Sequence, residues 1–289
     1  MKHLIGKLPA WLQNWISRYI ADDASMRASA LAYNLLFSVF PILILINNII
    51  GLLHIDGEML IESVRTFLPP DVITFLMNYL EYAANTTSMT LVVFSIVFSV
   101  YFPFRTIGML MDTIRTAFRK SDEQKPRFYL LRQLGCSILL PITLFISLVL
   151  IVLGKNVIEY AMSLLPFLSS EISEAALSLW QPLRFVAAAL LMSVSLGVVY
   201  KASLNRKLSV KKILPGTLWA IVAWLIASML FSFYTENFAN YSIIYGALGA
   251  VVVTLLWLYL TGTVLIMGAE LNAVLLEREE EKQEQKPNE

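Results

Sequence analysis

"RASALAYNLLFSVFPILILINNIIGLL", residues 27–53, is an almost unbroken apolar run that nevertheless carries Tyr33, Asn34, Ser38, Pro41, Asn47 and Asn48. A helix needs about 20 apolar residues to cross the hydrocarbon core of a bilayer, so the run is long enough to span. Its polar residues need a reason, because lipid cannot hydrogen-bond them. On a helical wheel at about 100° per residue, Arg27, Ala30, Asn34, Ser38, Pro41, Leu45 and Asn48 fall within roughly 40° of one line, with Asn47 on the other side. Such a stripe faces protein or a water-filled interior: either a packing face joined by interhelical hydrogen bonds, or the lining of a substrate path. Pro41 removes one backbone donor and is expected to bend the helix.

The rest of the chain has the same character. Of its 289 residues, 57% are hydrophobic and 15% charged, and the mean hydropathy is +0.68. Soluble domains carry roughly a quarter charged residues, so these values indicate an integral membrane protein. Residues 88–104, 133–154, 183–201, 213–234 and 243–272 are further apolar runs, which with 28–53 give six expected spans. Runs this long read as helices, which satisfy their own backbone in lipid. The net charge of +1 gives no general attraction to nucleic acid. A single cysteine, Cys136, allows no intrachain disulfide and argues against a cysteine metal site. No metal and no cofactor are expected.

Lysine and arginine give the orientation. The loop 105–132 holds seven of them and the loop 201–212 five, while Lys2, Lys7, Arg18 and Arg27 precede or open the first span. The alternate loops hold only Arg65, Lys155 and, at a span edge, Arg184. Positive loops stay in the cytoplasm, so the expectation is an all-α, polytopic protein of three hairpins with both termini inside. Residues 1–27 form an arm, 28–276 the transmembrane domain and 277–289 a polar cytoplasmic tail that reads as frayed. No cleaved signal is evident. In the arm, Leu8, Trp11, Leu12, Trp15 and Tyr19 fall at helical spacing and predict an amphipathic helix in the membrane interface. Asp22 and Asp23 suit the start of the next helix. Residues 71–84 and 171–180 predict two further amphipathic helices, on the outer surface or tucked between spans. "LPGT", residues 214–217, is expected to break the inner end of the fifth span.

The last span contains a carboxylate, Glu270. On the wheel Tyr245, Tyr259, Thr263 and Glu270 lie within about 20° of one line. Glu270 is near a helix C-terminus, where the dipole disfavours negative charge, so a cation is expected beside it; Arg27 and Arg105 stand at similar depth. The candidate interior polar site is therefore Arg27, Tyr33, Asn34, Ser38, Pro41 and Asn48 from the first span, with Tyr245, Tyr259, Thr263 and Glu270 from the last. An intramembrane acid is a default candidate for proton or substrate coupling.

"ALAYNLLFSVFPILIL" (30–45) and "YSIIYGALGAVVVTLLWLYLTGTVLIMGAELNAVL" (241–275) resemble the YihY/BrkB family of bacterial inner-membrane proteins, once labelled ribonuclease BN. Leu31-Ala32-Tyr33, Ser38, Pro41, Tyr245-Gly246, Gly268-Ala269-Glu270 and the "LPG" before the fifth span carry the resemblance, which covers about residues 20–276. It implies a six-helix bacterial inner-membrane protein and does not specify a reaction. Two function classes fit: a transporter or exporter of a lipid-like or amphiphilic substrate, and a non-transporting envelope scaffold that binds lipid or a partner. A ribonuclease is disfavoured, because the cytoplasmic loops show no cluster of metal-binding carboxylates or acid/base histidines. No phosphate-cradling loop is visible, so transport would draw on an ion gradient, a substrate gradient or an energising partner. Membrane lipid is the expected partner, with an amphiphilic small molecule as substrate and no nucleic acid.

Overall fold

The structure, a computed structural model, describes residues 9–53, 77, 89–118, 127–163, 170–205, 208–237 and 248–284. Seven helices are described: α1 (Ala10–Ala21), α2 (Ala24–Leu53), α3 (Met89–Ala117), α4 (Tyr129–Ser163), α5 (Ser170–Ser203), α6 (Val210–Asn237) and α7 (Leu248–Glu284). Four described stretches, Val92–Ala117, Leu183–Ser203, Val210–Thr235 and Val251–Glu284, are long and apolar enough to cross a bilayer. Helices outrun the apolar runs that announced them. Residues 89–104 of the 17-residue run 88–104 lie in a helix of 29 residues, because the run marks hydrocarbon thickness and not the end of the hydrogen-bond ladder.

The exterior is apolar and the interior partly polar. Val93, Phe94, Val97 and Val100 of α3 and Val222, Met229 and Phe233 of α6 are exposed, whereas Ser95, Thr106, Thr143, Ser195, Ser203 and Thr217 are buried. A water-soluble core has the reverse bias; here lipid covers the outside. Several buried hydroxyls bond to the carbonyl one turn back, as Ser203 to Val199 (2.7 Å) and Thr217 to Ile213 (2.8 Å), or across helices, as Thr143 with Ser195 (2.5 Å).

Contacting pairs run in opposite senses along neighbouring helices. Asn34 meets Met109 and Phe37 meets Phe102 between α2 and α3. Tyr129 reaches Asp112 while Gln133 reaches Phe104 between α3 and α4. Thr143 meets Ser195 and Arg132 meets Leu204 between α4 and α5. Gly216 meets Asn272 and Trp224 meets Thr261 between α6 and α7. One end of the bundle therefore gathers the starts of α2, α4 and α6 with the ends of α3, α5 and α7. The main buried cluster, including Met111, Ile114, Val199, Tyr200 and Ile266, lies toward that end.

Helices α6 and α7 cross very closely. A Cβ on Gly216 would stand 2.1 Å from the Gly268 carbonyl oxygen, and one on Gly268 would stand 2.7 Å from that of Gly216. Only glycine permits two backbones to approach so closely. A second close approach joins α7 to α2, where Gly262 faces the backbone of Ala28.

Several expectations need correction. "LPGT" does not break the fifth span: α6 runs from Val210 through Pro215, and the N–H of Gly216 beside the proline is directed to Asn272 Oδ1 at 2.7 Å. Residues 171–180 are not a separate surface helix, since α5 begins at Ser170 and continues into the span. The start of the polar tail is not frayed: α7 continues to Glu284, supported by good helix formers and by the ion pair of Glu279 with Lys212 at 3.2 Å. The expected helix at 71–84 lies outside the described residues, Met77 apart.

Candidate functional site

The arm helix α1 packs on the bundle. Trp15 donates from Nε1 to the carbonyl of Met267 (2.9 Å) and sets its ring edge-on to Trp219 of α6, 4.8 Å between centroids. Tyr19 and Ser25 both share a hydrogen bond with the Tyr259 hydroxyl, at 3.0 and 2.9 Å. The bond to Tyr259 raises the proton affinity of the Tyr19 hydroxyl above that of an ordinary phenol. Asp22 and Asp23 form the turn into α2; Asp23 takes a φ of 50°, a left-handed conformation that aspartate tolerates better than most residues.

Arg18 sits at the centre of this face with 4% of its surface exposed. Its Nη1 donates to Glu270 Oε2 at 3.2 Å and to the Ala117 carbonyl at 2.9 Å, and its Nη2 donates to Glu277 Oε2 at 2.6 Å. Glu270 is 1% exposed. One guanidinium thus joins two carboxylates of α7 to the last residue of α3. Each partner is electrostatically appropriate: the planar fork serves several acceptors at once, and the carbonyl end of α3 is the negative end of its dipole. A buried charge of this kind is tolerable only when paired and hydrogen-bonded.

The cation beside Glu270 is therefore Arg18. Arg27, expected there, directs its Nε to the Asp22 carbonyl at 3.0 Å, and Arg105 is exposed with Nη1 3.3 Å from the Tyr101 hydroxyl. Arg18 was legible in one respect. It follows Trp15 by three residues and Trp11 by seven, which places a charge at the edge of the arm's apolar face, beside Trp11. Glu277 is likewise two turns from Glu270 on one side of α7.

The other candidate residues divide. Tyr259 and Glu270 both face the arm, so part of the α7 stripe is the surface on which α1 docks. Thr263 is half-buried and bonds to the Tyr259 carbonyl at 2.9 Å. Asn34 is buried, with Nδ2 donating to the Ala30 carbonyl (2.8 Å) and to Met109 Sδ (3.3 Å). Ser38 is buried and bonds to Leu35 of its own helix (2.6 Å), and Pro41 is buried within the continuous α2. Tyr33 is 54% exposed and packs on Phe37, so it points away from the interior. The side chain of Asn48 and all of Tyr245 lie outside the described residues. On α3, the residues touched by Asn34 and by Arg18 are Met109 and Ala117, eight apart, or roughly 12 Å along the axis. The structure gives two polar levels where the sequence suggested one.

A further buried polar residue was not anticipated. Asn272 has no exposed surface and accepts from Gly216 through Oδ1, while its Nδ2 has no hydrogen-bond partner. It lies two residues beyond Glu270, at the α6–α7 crossing.

Comparison with known proteins agrees with the resemblance carried by the sequence. The profile of the virulence factor BrkB family matches residues 15–289. The chain is 26% identical to the ribonuclease-like protein YfkH of Bacillus subtilis, over 93% of this chain and 96% of that one. It is 26% identical to a UPF0761 membrane protein of Acinetobacter baylyi, over 95% of this chain and 66% of that one. A UPF0761 membrane protein of Pseudomonas aeruginosa is 28% identical over 88% of this chain and 60% of its own length, so the chain spans under two thirds of these two longer relatives. No solved structure matches. With its apolar exterior, its four described spanning helices and a family match over nearly its whole length, the chain is a multi-pass protein of the bacterial inner membrane that belongs to the virulence factor BrkB family.

Proposed function

We propose that this protein moves a lipid-like or amphiphilic substrate through its polar interior, with the arm helix as a latch at the cytoplasmic end. The observation that carries this reading is Arg18, a charge delivered by a helix of 12 residues, too short to span, into the interior beside Glu270. Stability alone does not explain such a group, since apolar side chains of similar volume often do as well as a buried ion pair. A pair that can be opened by protonating Glu270, or by an anionic headgroup competing for Arg18, gives the arm two states. The docked arm is the closed one.

In this reading α2 to α7 are six spans arranged as three hairpins, with both termini cytoplasmic. The opposed contact registers support the alternation, and the Lys/Arg excess in loops 105–132 and 201–212 supports the orientation. In a Cys136→Ser background, single cysteines at Glu81 and Glu171 should react with an impermeant thiol reagent from outside intact cells. Reaction of one at Gln124 would invert the topology.

The second reading is an envelope scaffold in which the same bonds only clamp helices together. It is favoured by the bonding already present, with Arg18 engaging Glu270, Glu277 and Ala117 at once. Purified protein in liposomes separates the two. Transbilayer movement of a labelled anionic lipid that Glu270→Gln abolishes, with an unchanged thermal midpoint, supports transport. No movement with the unmodified protein, or a loss that tracks stability, supports the scaffold. Neither reading is enzymatic. Both acids of the ionic centre are engaged by Arg18, and the pure protein is expected to leave RNA intact.

A further inference from the structure

A cleft of about 230 Å³ opens between the start of α6 and the end of α7. Lys211, Lys212, Arg278 and Lys282 converge on it, with Glu279 as its one carboxylate. Lys212 pairs with Glu279 at 3.2 Å, and the other three cations bring further positive charge. Arg278 also lies over the ring of Trp11, 6.0 Å from its centroid, which ties the cleft's rim to the arm. Topology alone places cations on the cytoplasmic side, but it does not require two helices to aim four of them at one cleft.

The floor of the cleft is apolar, made by Pro215, Leu275 and Leu276. Below it, Lys211, Pro215, Leu218, Val222 and Leu225 fall within about 40° of one line on α6. Leu218, Val222 and Leu225 are 42%, 54% and 44% exposed. The positive cleft therefore opens onto an apolar track that runs down the spanning part of the helix. A free anion has no use for such a track. A zwitterionic headgroup gains little from an excess of positive charge.

We propose that this cleft binds the headgroup of an anionic glycerophospholipid of the cytoplasmic leaflet, with the phosphate among Lys211, Arg278 and Lys282 and an acyl chain along the α6 track. The inference rests on the orientation proposed above and not on transport. Basic pockets between spans on the cytoplasmic side are suited to this chemistry, with each cation near the surface contributing on the order of fivefold in affinity.

The test is native mass spectrometry of the full chain released from detergent micelles. It is titrated separately with phosphatidylglycerol, phosphatidylcholine and inorganic phosphate. Phosphatidylglycerol should be retained well above phosphatidylcholine. The triple variant Lys211→Gln, Arg278→Gln, Lys282→Gln should bind it roughly a hundredfold more weakly, as three cations at about fivefold each imply. Glu279→Gln removes only the opposing charge and should tighten binding, which keeps the proposal testable if the triple variant folds poorly. Equal retention of the two lipids, an unchanged affinity in the triple variant, or no tightening in Glu279→Gln overturns the proposal. Inorganic phosphate competing as well as phosphatidylglycerol would assign the cleft to a free anion and also overturn it. Binding is read without transport, so a failed transport assay leaves this site standing, and loss of this site leaves the transport reading intact.

Discussion

Along α2, Asn34 and Ser38 turn back on the carbonyls of their own helix, whereas on α7 the described ion-pair partner of Glu270 comes from the arm. Both stripes put polar groups inside a bundle coated by lipid. An amide or hydroxyl that bonds one turn back stays satisfied wherever the helix goes, and fixes no neighbour beyond the weak contact of Asn34 with Met109. A carboxylate has no such recourse, because it only accepts, and the backbone N–H groups of a continuous helix are already spent on its own carbonyls. Along α2 the hydroxyl and amide stripe tolerates packing, while on α7 the charged residue dictates it.

The largest expected effect comes from removing the cation alone. Arg18→Met takes the arm's cation away from the buried Glu270 and should cost about 3–5 kcal/mol, read as a lower thermal midpoint in detergent. The double variant Arg18→Met, Glu270→Gln should recover much of that loss, because a buried pair replaced on both sides is often close to neutral. A double variant as unstable as the single one would show that α1 docks through Trp15 and Tyr19 and not through charge. Next in size is Gly216→Ala. Its methyl would meet the Gly268 carbonyl oxygen, and overpacking of this kind costs about 1–3 kcal/mol; an unaffected midpoint would mean that α6 and α7 can part. Asn34→Ala should cost about 0.6 kcal/mol, the scale of a single polar contact in a membrane bundle. Ser38→Ala should cost less again, on the order of a few tenths. A reversal of order between Arg18→Met and Asn34→Ala would undo the contrast between the two stripes.

The helical class and the apolar cores of the spans were legible because lipid imposes a length and a composition on whatever crosses it. So was the need of Glu270 for a cation, which follows from a carboxylate set within an apolar run; its expected place near a helix C-terminus was not right, since α7 continues to Glu284. The identity of that cation was not, because Arg18 reads as one of several positive charges that set orientation. Only its place among Trp11, Trp15 and Tyr19 distinguishes it. Helix ends were also hidden, since an apolar run stops at the headgroups while α3 and α7 continue beyond them. The bonding of Gly216 to Asn272 could not be read at all, because it depends on two helices meeting at one register.

The pairing of Arg18 with Glu270 spans 252 positions of the chain, and this orders events during synthesis. The ribosome delivers the arginine long before its carboxylates, so until α7 is made the arm lacks these counterions. The clasp closes only after α7 has been made, and it then reports that α3 and α7 have come together, since Arg18 must also find the end of α3. A chain halted before residue 270 should leave the arm open to protease attack, while the completed chain shields it. Equal cleavage of the two within α1 would refute this sequence of events.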